Sequence, residues 1–407
     1  LSYFEKCATL KKIRENHSAS EIKDKDFELV DQNFVSKQLI GDQNVIKTGN
    51  KSAVFNALLS YYLQNNSFSN SYIFRNLNAP DNSFEENYNF TYSILRKKNS
   101  LKSGSAIILL HGLNEKNWDK YLPWAQYLLE KTGRPVIMFP IAYHMNRAPK
   151  EWSNPRLMSQ VSKERKKLFP NLDASTFVNA ALSTRLQFSP ERFFLSGLQS
   201  LYDVIHLVET IRDNENPYIS KDAEIDFFGY SIGGFFGQIL LMSNPQNLFG
   251  DSRLLIFCGG ATLDFTTPIS RAIIDSEAAI SLKNFFLEGF EENMKTNESF
   301  HSIFARSEEI GIAFQSMINS DKLISFRNAI LTGMKDRIRI LGLEKDGVFR
   351  PKNIAHNFPG RLSHCLKFMD FNFSYSHETP FPLLDKIENE VNNAFETVLS
   401  YSASFLA

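Results

Sequence analysis

Apolar and polar positions change rhythm near residue 105. Before it the chain is polar and weakly periodic, with turn-rich clusters at 65–71 and 76–83 and one amphipathic helical pattern at 53–63. Residues 88–95 alternate polar and apolar side chains, the pattern of a strand at an exposed sheet edge. From 105 onward short apolar runs recur between helical patterns, as expected of β-α-β units around a mainly parallel sheet. The runs predict strands at 106–110, 136–140, 224–229, 254–259, 337–343 and 366–373. Helices are predicted at 120–131, 199–212, 232–242 and 383–405, the last with Ile387, Val391, Phe395 and Val398 on one face. Two intervals, 142–223 and 261–336, are too long for plain connections. The first holds a basic, helix-prone stretch at 162–167 and the second several helical patterns, so both are expected as insertions over the functional edge of the sheet. The expected organisation is an α/β core over 105–407 with an N-terminal extension, 1–104, packed on it.

Composition narrows the function classes. With 45 basic and 45 acidic side chains the chain has no net charge to draw it to nucleic acid or an anionic membrane, and no nucleic-acid partner is expected. Its apolar runs fall far short of the ~20 residues of a membrane-spanning helix, so no integral membrane segment is expected. Glu5, Lys6, Lys11, Lys12, Arg14 and Glu15 interrupt the opening stretch and leave no apolar core for a signal peptide, so the expected location is the cytoplasm. Cys7, Cys258 and Cys365 lack the spacing of a zinc site and the even count of a disulfide framework, and read as buried thiols. Thirty-six phenylalanines point to a strongly apolar core with scope for an apolar pocket.

The chemistry concentrates at strand ends. Gly229-Tyr230-Ser231-Ile232-Gly233 fits G-x-S-x-G, with the apolar run Ile225-Asp226-Phe227-Phe228 before it and a helical pattern after it. A tight strand-to-helix turn of that kind strains the serine backbone and projects its hydroxyl, and the helix amides favour negative charge beside it. A serine hydroxyl is a weak nucleophile, so it needs a base, and the base needs an acid to orient it. Asp346 lies in the turn Glu344-Lys345-Asp346-Gly347 at the end of the 337–343 run and is the preferred acid, with Glu344 and Asp264 as alternatives. His377 follows the last predicted strand and is the preferred base, whereas His356 and His364 precede that strand. The loop His111-Gly112-Leu113-Asn114 after the 106–110 strand supplies a site for oxyanion donors, the amides of Leu113 and Ile232. Tyr230, Asn114, His144 and Arg147 are candidate substrate contacts, although for the last two, in the segment 140–149, a packed and hydrogen-bonded loop is the preferred reading. No metal or organic cofactor is called for.

Taken together, the elbow around Ser231, the His111-Gly112 loop, Asp346 and His377 resemble the α/β-hydrolase superfamily over residues 105–407. In that superfamily the His-Gly loop follows the third strand, the nucleophile the fifth, the acid the seventh and the histidine the eighth, and the order here is the same. The resemblance implies an α/β-hydrolase fold and a helical cap over about 262–335, where a lid commonly enters after the sixth strand. It also implies a serine hydrolase acting on a small-molecule acyl substrate, with a carboxylic ester as the favoured bond. An acyltransferase, or a noncatalytic binding protein that keeps the fold, are the rival readings. The long N-terminal segment and the 142–223 insertion depart from the simplest members and leave specificity open, and the sequence carries no signal of oligomeric state.

Overall fold

The computed structural model describes residues 1–16, 21–23, 26–37 and 68–407. The helix expected at 53–63 and the first part of the turn cluster at 65–71 lie outside the described residues; the rest of that cluster, from Phe68, opens the helix Phe68–Leu77. The described strands are β1 Glu21–Lys23, β2 Phe27–Val35, β3 Asn89–Lys97, β4 Ser103–Leu110, β5 Val136–Met138, β6 Ile219–Tyr230, β7 Leu254–Phe257, β8 Ile338–Leu343 and β9 Leu366–Met369. They form one sheet in the order β1-β2-β3-β5-β4-β6-β7-β8-β9. Pairing is antiparallel from β1 through β3 to β5 and parallel across every pair from β5 to β9.

The continuous apolar runs in the central strands follow from cover on both faces. Ala106, Ile108 and Leu110 of β4 join Phe227 of β6 in a core with the helices Arg192–Arg212, Ile232–Ser243 and Glu308–Ile318. Ile107 and Leu109 point the other way with Phe228, toward Leu122–Thr132, Tyr3–Asn16 and the C-terminal helix Glu388–Leu406. This is the α/β-hydrolase arrangement with an added edge strand, so the elbow follows β6, Asp346 follows β8 and His377 follows β9.

Two expectations change. The segment 88–95 was expected at an exposed edge, yet β3 lies between β2 and β5, with Ile94 and Leu95 fully buried. The half-buried Ser93 is met by the neighbouring strand, its Oγ donating to Asp31 Oδ1 of β2 at 2.6 Å. For the same reason residue 105 does not separate an appendage from the sheet, because β1 to β3 are part of the sheet itself.

The two long intervals are helical and packed together. Within 142–223 lie Pro155–Leu168, Ala180–Phe188 and Arg192–Arg212; 262–335 contains Ser276–Lys283, Phe290–Thr296, Glu298–Arg306, Glu308–Ile318 and Ile324–Gly333. Arg165 from the first grips Asp275 from the second with a two-pronged pair, Nε to Oδ2 at 2.8 Å and Nη2 to Oδ1 at 2.7 Å. Both residues are buried, and Asp275 also caps the helix that follows it by accepting from the Ala278 amide. Among the described residues no helix is long and apolar enough to cross a membrane.

Candidate active site

Ser231 sits between the end of β6 and the helix Ile232–Ser243 with φ 57° and ψ −120°, a conformation L-residues avoid unless the surroundings impose it. The flanking glycines make the turn possible. A Cβ on Gly229 would lie 2.7 Å from the Gly233 carbonyl oxygen, and one on Gly233 would collide with the Leu110 carbonyl at the end of β4. Backbone thus packs directly on backbone at the elbow, and the serine hydroxyl is left facing the loops at the carboxyl ends of the strands.

Those loops bring the three expected residues together. Ser231 Oγ lies 2.7 Å from His377 Nε2, and His377 Nδ1 lies 2.8 Å from Asp346 Oδ2. Asp346 Oδ1 accepts from the amides of Val348 and Phe349 at 2.8 and 2.9 Å, which fixes the carboxylate. An acceptor-only carboxylate assigns the proton to Nδ1, so Nε2 is free to accept from the serine. Ser231, Asp346 and His377 are 5, 3 and 4% exposed, so the three groups lie in a setting where charge interactions are screened weakly. The alternatives are occupied elsewhere: Asp264 accepts from Thr262 Oγ1 and from Ser320, and Glu344 is exposed. His356 packs edge-on against Phe265, and His364 Nδ1 meets the Arg361 carbonyl.

Tyr230 holds the histidine rather than reaching outward. Its hydroxyl donates to the His377 carbonyl, and the two rings stack at 5.6 Å and 18°. Cys258, which sequence reasoning read only as a buried thiol, lies beside the acid. Burial, and then the Asp346 carboxylate, hold this thiol well above its ordinary range, so it stays protonated there. Its position at φ 53° just after β7 has no signature in a one-residue motif.

The loop after β4 is braced from three sides. The Gly112 amide donates to Tyr121 Oη at 2.9 Å, and that hydroxyl donates on to Glu115 Oε1 at 2.9 Å. His111 accepts from the Ile141 amide at Nε2 and faces the Gly112 carbonyl with Nδ1, tying this loop to the one after β5. Asn114, at φ 65°, donates through Nδ2 to the carbonyls of Val178 (3.1 Å) and Ala272 (2.6 Å), one from each long interval, and accepts from Lys116 Nζ at Oδ1. Burial pushes the Lys116 ammonium down to about 8. Among the described residues the amides of Leu113 and Ile232 have no hydrogen-bond partner within the protein. A cavity of about 300 Å³ opens in front of Ser231, bordered by Leu113, Lys116, Val178, Ile273 and Glu378.

The structure does not bring Arg147 to this site. It is fully buried, donates to Asp203 at 2.6 Å and to the carbonyls of Asn87 and Pro140, and lies over the Phe90 ring. A guanidinium that deep needs a carboxylate, and Asp203 supplies it, so Arg147 anchors the segment instead of meeting substrate. Tyr230 and Asn114 border the cavity with their polar atoms already engaged. Among the described residues no group of three or more His, Cys, Asp and Glu side chains could hold a metal ion.

His144 is buried with Nδ1 on the Ala142 carbonyl, and burial pushes its pKa down to about 4; His111 moves down as well, through burial and then through His144. An unfolded histidine takes up its proton near 6.5, so the stability due to neutral His144 is complete above that pH and is lost as pH falls toward 4. Between about pH 7.5 and about pH 5, chemical denaturation should show a loss of stability that is about 2 kcal/mol smaller in His144→Gln than in the parent. Equal pH dependence in the two proteins would rule this out.

A family model described as a family of unknown function (DUF6051) matches residues 1–407. No curated protein matches the sequence. Among solved structures the chain is similar to carboxyl esterase 2 from the mycorrhizal fungus Tuber melanosporum, at 12% identity and TM-score 0.40 over 78% of this chain and 81% of that one. It is similar too to a cold-adapted esterase from an Arctic intertidal metagenomic library, at 9% identity and TM-score 0.38 over 95% and 97% of the two chains. A third is the Pyrococcus furiosus esterase Pf2001, at 14% identity and TM-score 0.37 over 78% and 84%.

Proposed function

The chain belongs to DUF6051, a family of unknown function, and we propose from the chemistry available at Ser231 that it is a serine hydrolase cleaving a carboxylic ester or a related acyl bond. The observation that carries this reading is the buried relay from Ser231 Oγ through His377 to Asp346, at 2.7 and 2.8 Å, on a strained elbow beside two unpartnered amides.

Each part has a step. His377 Nε2 accepts the Ser231 proton as Oγ bonds to the substrate carbonyl carbon, and Asp346 stabilises the imidazolium that forms. The carbonyl oxygen takes the electron pair and is held by the amides of Leu113 and Ile232, the second aided by the positive end of its helix. When the carbonyl re-forms, the bond to the leaving oxygen breaks and His377 returns the proton to it. A water deprotonated by His377 then attacks the acyl-enzyme, and collapse of the second intermediate releases the acid and restores the serine. Val178 and Ile273, on the rim of the cavity, support reading the segments 142–223 and 262–335 as the cover of the site.

A fluorophosphonate probe tests activation directly. We expect a single adduct, located by peptide mass spectrometry on Ser231. A folded protein that takes up no probe would overturn the hydrolase reading and favour a binding protein on the same fold; transfer to an added alcohol in preference to water would make it an acyltransferase.

A further inference from the structure

A second cavity lies behind the proposed oxyanion amides. Its volume is about 50 Å³, and its wall includes Leu113, Ile232, Phe193, Phe235, Phe314 and Gly197. Leu113 also borders the cavity in front of Ser231, so one side chain partitions the two. The two spaces differ in character. The front one is bordered by Lys116, Lys120, Glu115 and Glu378, whereas the rear one is almost entirely aromatic and aliphatic. The carbonyl carbon whose oxygen is held between the Leu113 and Ile232 amides has two substituents to place, and the side chains of those same two residues border the apolar space.

Gly197 gives the rear cavity a second, independent mark. It sits inside the helix Arg192–Arg212, in the run Phe193-Phe194-Leu195-Ser196-Gly197-Leu198. Glycine inside a helix costs about 1 kcal/mol relative to alanine. Neither of the usual reasons for accepting that cost applies. Its φ is not in the left-handed range, and a Cβ built on it meets no atom within 4 Å. What the missing side chain leaves is open space at the cavity wall.

Resting on the serine-hydrolase reading, we propose that the acyl group of the substrate is an unbranched apolar chain that enters the rear cavity past Leu113 and Ile232, and that Gly197 sets the depth it can reach. The leaving group then occupies the polar cavity in front of Ser231. A water needs roughly 10–15 Å³ of such space, so the rear cavity takes a run of about four carbon atoms, which favours acyl groups of about four to six carbons.

The test is a series of p-nitrophenyl esters from acetate to decanoate, assayed on the wild-type chain, Gly197→Ala and Gly197→Leu, with fluorophosphonate labelling of the wild type alongside. For the wild type, kcat/KM should rise by about fourfold per methylene up to the cavity's limit and then fall. In Gly197→Leu the hexanoate-to-acetate ratio should drop at least about tenfold, with Gly197→Ala in between. Cooperative thermal unfolding at or above the wild-type midpoint would show that both variants fold, since removing a helix-interior glycine raises it. Labelling and turnover by the wild type with no chain-length preference, or with a preference that Gly197→Leu leaves unmoved, overturns the acyl-cavity proposal and leaves the hydrolase reading standing. Absence of labelling removes the hydrolase reading, and the proposal with it.

Discussion

Ser231→Ala is expected to lower kcat on an activated ester by about 10⁵- to 10⁶-fold and to abolish probe labelling, with little change in thermal unfolding. The side-chain hydroxyl makes its hydrogen bond to His377, not to the elbow backbone, so alanine removes the nucleophile and leaves the turn in place. His377→Ala should cost about as much, and the double variant little more, because the two groups act as a unit and the loss of either idles the other. Steady-state hydrolysis of p-nitrophenyl butyrate with matched melting curves measures this. Ser231→Ala retaining turnover within about tenfold of the parent would put the chemistry elsewhere.

Asp346→Asn should lower kcat by about 10⁴-fold while KM changes little. The new side chain can keep its oxygen on the Val348 and Phe349 amides, which leaves an NH₂ group facing His377 Nδ1. A donor there forces Nδ1 to accept, and the ring proton moves to Nε2, where it points at the serine it should deprotonate. Geometry is preserved and the tautomer is wrong. The same substitution at Asp264, whose carboxylate serves Thr262 and Ser320, should leave kcat near the parent value. Equal losses at the two positions would mean that the fold, not the proton relay, was being disturbed.

The residues that meet at Ser231 were legible because a strand end is a local signal: Ser231 and Asp346 follow β6 and β8 by one and three positions, and His377 follows β9 by eight. Ser231, Asp346 and His377 are each announced by the strand before them. β2 was not legible for the opposite reason. Its middle, Asp31-Gln32-Asn33, is polar, and only the pairing with β3 shows that Asp31 is satisfied by Ser93. Longer-range features left no trace at all. Arg165 and Asp275 lie 110 positions apart, and two isolated charges at that separation carry no periodicity. Arg147 was expected chiefly as an anchor of its loop, but substrate contact stayed open because its partner, Asp203, is supplied by a different helix. The Tyr121–Glu115 brace behind Gly112 is likewise assembled by folding, from residues with no motif of their own.

Asn114 gives the site a property that no single segment has. Both of its amide hydrogens are committed, one to Val178 and one to Ala272, while its own backbone forms part of the loop that presents the Leu113 amide. Exchanging either segment for one whose backbone follows another path would move a carbonyl away from this side chain and loosen the loop that presents the Leu113 amide, at a distance from the exchange itself.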